Sequence, residues 1–405
     1  MRFTMSPSRA PLVLLLTAAC GGGGAPVAVA ERDSAGVAIV ENRMDTAAAR
    51  TGWAIGAAPT LVIGGIDAPE TQQVYRVRGG RRLADGRIVI ADGGAAEVRV
   101  YGPDGSLRDA HGRKGEGPGE FQQPSVAGVL AGDSVIVYDS RLRRVSVVHA
   151  DSGFVRSYQV GTEGGGFPVA IGITADGGLA VGGGMFFSSA TGFPQGAVRP
   201  NSRYALLAPD GAMRGDLGEV PAAEMFAIAR DNMFHASTLP FGRTTAAAAA
   251  AHRLWLGTGD TWEIRAYGLD GRLERIVRFE RSLPPVTDAL WQAHLEERLV
   301  DASDENEAST LRTRHAEMPA PDVIPPYERL DVDALGHVWI GEFAVPGEDE
   351  RTYTIVDGEG RAVGRLTLPA RTSPLDIGVD YLLGVTLDDL DVERLTLWEL
   401  ARPGR

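Results

Sequence analysis

The residues of this 405-residue chain whose types suit chemistry are seven histidines, one cysteine and a set of aspartates that end apolar runs. The histidines are His111, His149, His235, His252, His294, His315 and His337. None falls in the HxH, HExxH or Glu-x-x-His spacing that brings ligands onto one metal. His235, in Asp231-Asn232-Met233-Phe234-His235, is placed at an early strand of its repeat unit, where groups facing a central channel arise, and is the candidate general base. Asp92, Asp139 and Asp260 end apolar runs and are the candidate oxygen ligands for a divalent ion. The simpler reading of each, which the sequence favours, is a carboxylate accepting backbone N–H groups in its own turn. No GxSxG elbow is present. The glycines of 112–119 are not a phosphate loop, because Lys114 precedes most of them and no Gly-Lys-Ser/Thr follows.

Cys20, the only cysteine, leaves the folded body without a disulfide of its own. Before it stand Arg2 and Arg9, the apolar run Leu12-Val13-Leu14-Leu15-Leu16 and the small residues Thr17-Ala18-Ala19. This is the pattern of an export signal, and its apolar run is far shorter than the ~20 residues of a membrane-spanning helix. The whole resembles a bacterial lipobox, which implies a signal peptide over 1–19 and a lipid on Cys20. Thr17 stands where Leu is usual, and Leu16 lies one position earlier. Gly21-Gly22-Gly23-Gly24-Ala25-Pro26 then opens a flexible tether, expected over 20–35. The resemblance implies an exported protein held to the cell envelope, at the outer membrane, through its N-terminal lipid.

The elements that must position any site are repeats. One unit runs Leu83-Ala84-Asp85-Gly86-Arg87-Ile88-Val89-Ile90-Ala91-Asp92, then Glu97-Val98-Arg99-Val100-Tyr101, then Pro103-Asp104-Gly105. It holds two β-rich runs bounded by Asp/Gly turns that tolerate positive φ. Further copies start near Ala131, Ala175, His252, Ala334 and Asp380, which makes six units. Asp92 and Asp139 stand 47 residues apart, and Val137 and Val181 stand 44 apart. That period suits a four-stranded propeller blade of roughly 40–50 residues. The expected fold is therefore all-β, a six-bladed β-propeller over 36–405. Stacked blades cover each other's faces and leave only short edges. The runs Val37-Ala38-Ile39-Val40 and Thr60-Leu61-Val62-Ile63 are free to complete the last blade and bring the N-terminal end to Leu400. The alanine run 246–251, too short for a stable helix, is expected to enter the fourth unit as strand.

One stretch departs from strand periodicity. Over about 287–318, between the fourth and fifth units, Leu290, Trp291, His294, Leu295 and Leu299 fall at helical spacing. Thr287 or Asp288 caps its start, and Asp304-Glu305-Asn306 breaks it into a second helix that ends by Pro319. The pair is expected to pack on the ring, with Trp291 in the core.

Gly112-Arg113-Lys114-Gly115-Glu116-Gly117-Pro118-Gly119-Glu120-Phe121, with Pro124, resembles an NHL-type repeat. The segment is expected to cross between blades and bury Phe121. With the lipobox, the chain resembles the bacterial six-bladed β-propeller lipoproteins, whose ligands commonly sit at the mouth of a central channel. At that mouth the candidates are Tyr75, Arg76 and Arg81, with 185–201, which carries Phe186, Phe187 and Phe193, as a lid.

The net charge of -13 and the absence of a basic run exclude nucleic acid as a partner. The expected function is a monomeric, non-catalytic binding module for a protein or small molecule, with no cofactor. The alternative is a metal-dependent propeller hydrolase or lyase that works in the channel.

Overall fold

The computed structural model describes residues 28–43, 52–161, 168–185, 194–230 and 233–403. Cys20, the segment 1–19 expected to be a signal peptide, and the aromatic residues Phe186, Phe187 and Phe193 lie outside them. Six sheets, each built on four antiparallel strands, form the blades of a β-propeller. Their innermost strands are Val77–Arg82, Pro124–Leu130, Val169–Ile173, Ala246–Ala249, Tyr327–Val332 and Thr372–Ile377. All six line one axial channel, so the ring is closed. The alanine run does enter the fourth blade, where Ala248 pairs with Trp255.

Second strands show why the repeats read as they do. Ile88–Asp92 is buried at every position, and Ser134–Asp139 at every position but its first. Each such strand has a strand on both sides and a neighbouring blade on both faces, so it reads as a continuous apolar run. Third strands alternate more, as in Glu97–Tyr101. Between the first two blades, Phe121 is 1% exposed and packs with Val89, Val98, Val126 and Val137. The crossover 112–121 is therefore structural. Glu120 accepts the N–H groups of Glu116 and Gly117 at 3.1 and 2.9 Å. The Arg144 guanidinium donates to the carbonyls of Glu116, Gly117 and Glu120.

The last blade is completed from the other end of the chain. Leu61–Gly64 pairs antiparallel with Glu393–Ala401, setting Ile63 opposite Leu395, and Ile55 lies opposite Leu400. The expected closure by 60–63 is correct. The expectation for Val37-Ala38-Ile39-Val40 is not. Val37–Arg43 runs parallel to Leu273–Phe279 on the outer edge of the fourth blade, with Val40 opposite Val277. Asn42, fully buried, holds it there by donating to the Gly360 carbonyl and accepting the Ala362 N–H, both at 2.9 Å. The preceding strand Ala28–Ser34 pairs with it through a tight turn in which Ala35 and Gly36 have φ of 55° and 85°. Residues 28–34 are thus strand rather than tether.

Two features stand outside the blades. Gly196–Val198, Met225–Arg230 and Met233–Thr238 form a small sheet of their own. Helices α1 (Asp288–Val300) and α2 (Glu305–Glu317) form a hairpin, and Thr287 caps α1 by accepting the Leu290 N–H. Phe241, Trp291 and Ile324 are its buried contact with the ring.

Candidate functional site

Innermost strands begin on what we term the upper face and end on the lower face. Toward the lower face the axial channel holds a cavity of about 690 Å³. Arg81 crosses it, donating to the carbonyls of Leu375 on the sixth blade and Ala127 on the second. Arg329 does the same between the fifth and sixth blades, donating to the Pro374 carbonyl and pairing with Asp331 at 2.6 Å. Asp376 accepts the Arg82 N–H at 2.9 Å and the Tyr381 hydroxyl at 2.7 Å. The channel is stitched by its own side chains. Arg81, expected at the mouth with Tyr75 and Arg76, instead braces the ring from inside.

A cavity of about 1410 Å³, twice the size of the channel's, lies on the upper face over the fourth to sixth blades. The helical hairpin covers it with Leu295 from α1, Leu311 from α2 and Met318 just past the end of α2. Phe241 and Phe343 add an aromatic wall, their rings 5.8 Å apart. Behind that wall Trp291 stacks on His315, 4.4 Å between centroids, and His315 Nε2 donates to the Trp291 carbonyl at 3.0 Å. The floor is ionic: Arg351 pairs with Glu328 at 2.6 Å, beside the Arg329–Asp331 pair. Burial pushes the Glu328 carboxyl up despite its arginine neighbours. His294 faces the same space, and burial, with His315 and Arg298 nearby, holds its imidazole below the usual range. The cavity therefore joins apolar side chains of the hairpin to a floor that carries two ion pairs, and Glu297, Arg298 and Arg314 of the helices also line it. Sequence reasoning missed it because its walls come from eight separate stretches of the chain.

A second upper-face pocket, about 750 Å³, lies over the first blade and contains Tyr75, Arg76 and Asp92. Two of the three predicted ligand residues thus do meet. The three candidate metal ligands do not. Asp92 Oδ1 accepts the N–H groups of Gly94 and Ala95, both at 2.9 Å, and Oδ2 pairs with Arg99 at 3.1 Å. Asp139 repeats the bracket on the second blade. Its Oδ1 accepts from Arg141 and Leu142 N–H, and its Oδ2 from Gln122 and Gln123 N–H. Asp260, on the fourth blade, pairs with Arg199 and Arg243, each at 2.7 Å. Burial works against its charge, but these arginines and the Thr258 hydroxyl hold its carboxyl below the usual range. The lone pairs that would meet a cation are spent on turns and ion pairs. Among the described residues no three His, Cys, Asp or Glu side chains converge as a metal group.

His235 is not in the channel. It lies exposed on Met233–Thr238 of the small extra sheet, opposite Ile228, beside Thr310 and Thr313 of α2. The chain leaves the ring between the third and fourth blades, and the local strand pattern gives no sign of that departure.

No protein-family model matches the chain, and no curated protein matches it. Solved structures similar to it include an exported protein of Bacteroides fragilis, with 13% identity and a TM-score of 0.46, covering 90% of this chain and 99% of that one. A gluconolactonase of Xanthomonas campestris has 16% identity and a TM-score of 0.42, covering 88% and 98%. A virginiamycin B lyase of Staphylococcus aureus has 9% identity and a TM-score of 0.41, covering 86% and 94%. Such likenesses carry no chemistry to this chain, whose architecture rests on its own strand pairing.

Proposed function

We propose that this chain is a non-catalytic binding protein, an NHL-like propeller held to the bacterial envelope by a lipid on Cys20. It takes an amphipathic small molecule into the helix-roofed cavity. The observation that carries the reading is the wall chemistry of that 1410 Å³ space, with Phe241, Phe343, Leu295 and Met318 on one side and the Glu328–Arg351 pair on the other. Sites for organic ligands are mainly apolar clefts with a few placed polar groups. An apolar body under the helices leaves its polar end over the floor, where the Glu328–Arg351 pair offers hydrogen bonds.

Extraction of the purified protein into organic solvent, followed by mass spectrometry, tests this. A co-purifying amphipathic compound supports it. Turnover of a lactone or ester that is lost on chelation and restored by Ca²⁺ contradicts it and establishes the hydrolase reading. The anchor is tested separately by lipid-precursor labelling: label is expected on the native chain and absent from Cys20→Ala, and equal labelling rules out attachment there.

A further inference from the structure

The chain has 40 basic residues, and only one, Lys114, is a lysine. It lies in the pocket over the first blade with Arg76, Arg78 and Arg99. Arg99 has carboxylate partners, Asp92 and Glu97, each at 3.1 Å. Arg76, Arg78 and Lys114 form no ion pair with any described residue, in a protein whose net charge is -13. Many arginines elsewhere are paired with carboxylates, and Arg87 engages three, Asp85, Asp133 and Asp151. The pocket's own carboxylates are Asp92, already spent on its turn and Arg99, and the exposed Glu70.

The backbone holds this cluster in place. Arg76 has a φ of 55°, the left-handed region that residues other than glycine rarely adopt. Bonds from Gly93 N–H to the Arg76 carbonyl, 3.2 Å, and from Gly94 N–H to the Tyr75 carbonyl, 2.9 Å, hold it there. Gly94 is required at that approach, since a Cβ would stand 2.7 Å from the Tyr75 ring. Tyr75 is 59% exposed, with the Arg76 guanidinium 5.1 Å over its ring. A strained residue at a charged pocket points to a use for its side chain.

We propose that this pocket is a binding site for a small polyvalent oxyanion, a phosphate- or carboxylate-bearing molecule with two or three negative charges. Three cations without carboxylate partners match that charge, and guanidinium forks fit either oxyanion by paired hydrogen bonds. The site is separate from the helix-roofed cavity and stands or falls independently of it.

The lone lysine supplies the probe. Reductive methylation with ¹³C-formaldehyde labels Lys114 and the amino terminus of the full chain, and pyrophosphate and citrate are titrated at low ionic strength. The Lys114 resonance is expected to shift saturably with a Kd below about 1 mM, and acetate to bind at least about tenfold more weakly. Arg76→Gln and Arg78→Gln are each expected to weaken pyrophosphate about tenfold or more. Arg156→Gln, an exposed arginine lying over Tyr158 on the second blade, is expected to leave binding unchanged. Unchanged unfolding midpoints show that the variants are folded. No saturable shift, equal binding of acetate, or binding indifferent to Arg76→Gln overturns the proposal.

Discussion

Asp139 meets four backbone N–H groups with its two carboxylate oxygens and is 1% exposed. Removing the carboxylate strands buried donors, each worth about 1–3 kcal/mol when left unmade. Asp139→Ala is therefore expected to cost about 3 kcal/mol or more in urea unfolding, without changing the bound metal content of the protein. A change in metal content would restore the ligand role. The turn role was legible in the sequence, because an aspartate that ends an apolar run before a turn is the usual acceptor for that turn's N–H groups. The ion pairs of Asp260 were not, since Arg199 lies 61 residues away. His294 carries a pH dependence. Its folded pKa lies below the ordinary value of 6.5, so below pH 6.5 the unfolded chain binds more protons. Stability is thus expected to fall as pH drops from 6.5 through the folded pKa, and His294→Gln to flatten that part of the curve. A curve of the same slope in the variant would place the titration elsewhere.

Among elements, the closing strand and the helical hairpin were legible, and the two excursions from the ring were not. Thr60-Leu61-Val62-Ile63 alternates like an edge strand and lay unassigned before the first unit, which left the last blade as its partner. In the structure Ile63 is 1% exposed and Val62 is 46% exposed. Ile63→Ala is expected to cost about 2–5 kcal/mol by the cavity it leaves, while Val62→Ala stays within about 0.5 kcal/mol. Equal effects in denaturant unfolding would contradict the closure. The hairpin showed itself through its 3.6-residue spacing and Thr287 cap, both local signals. By contrast, Val37–Arg43 joins the fourth blade in parallel, and its Asn42 bonds Gly360 and Ala362 of the fifth, more than 300 residues along. His235 was misplaced for the same reason, because the small sheet that carries it looks locally like one more blade strand. Register across such distances is set by tertiary packing, to which local pattern is blind.

For the whole molecule, a closed ring with a braced channel sets two cavities, of about 1410 and 750 Å³, on its upper face. Arg81 and Arg329 tie neighbouring innermost strands together from inside. The helices enclose space above the fourth to sixth blades, and the basic pocket lies over the first. The most direct test of the binding account is a titration of the full chain with cis-parinaric acid, an apolar chain with one carboxylate, followed by its fluorescence. One saturable site is expected, with affinity lost in Phe343→Asp and in Leu295→Arg while both variants keep the native unfolding midpoint. No saturable binding, or equal binding in both folded variants, would contradict it.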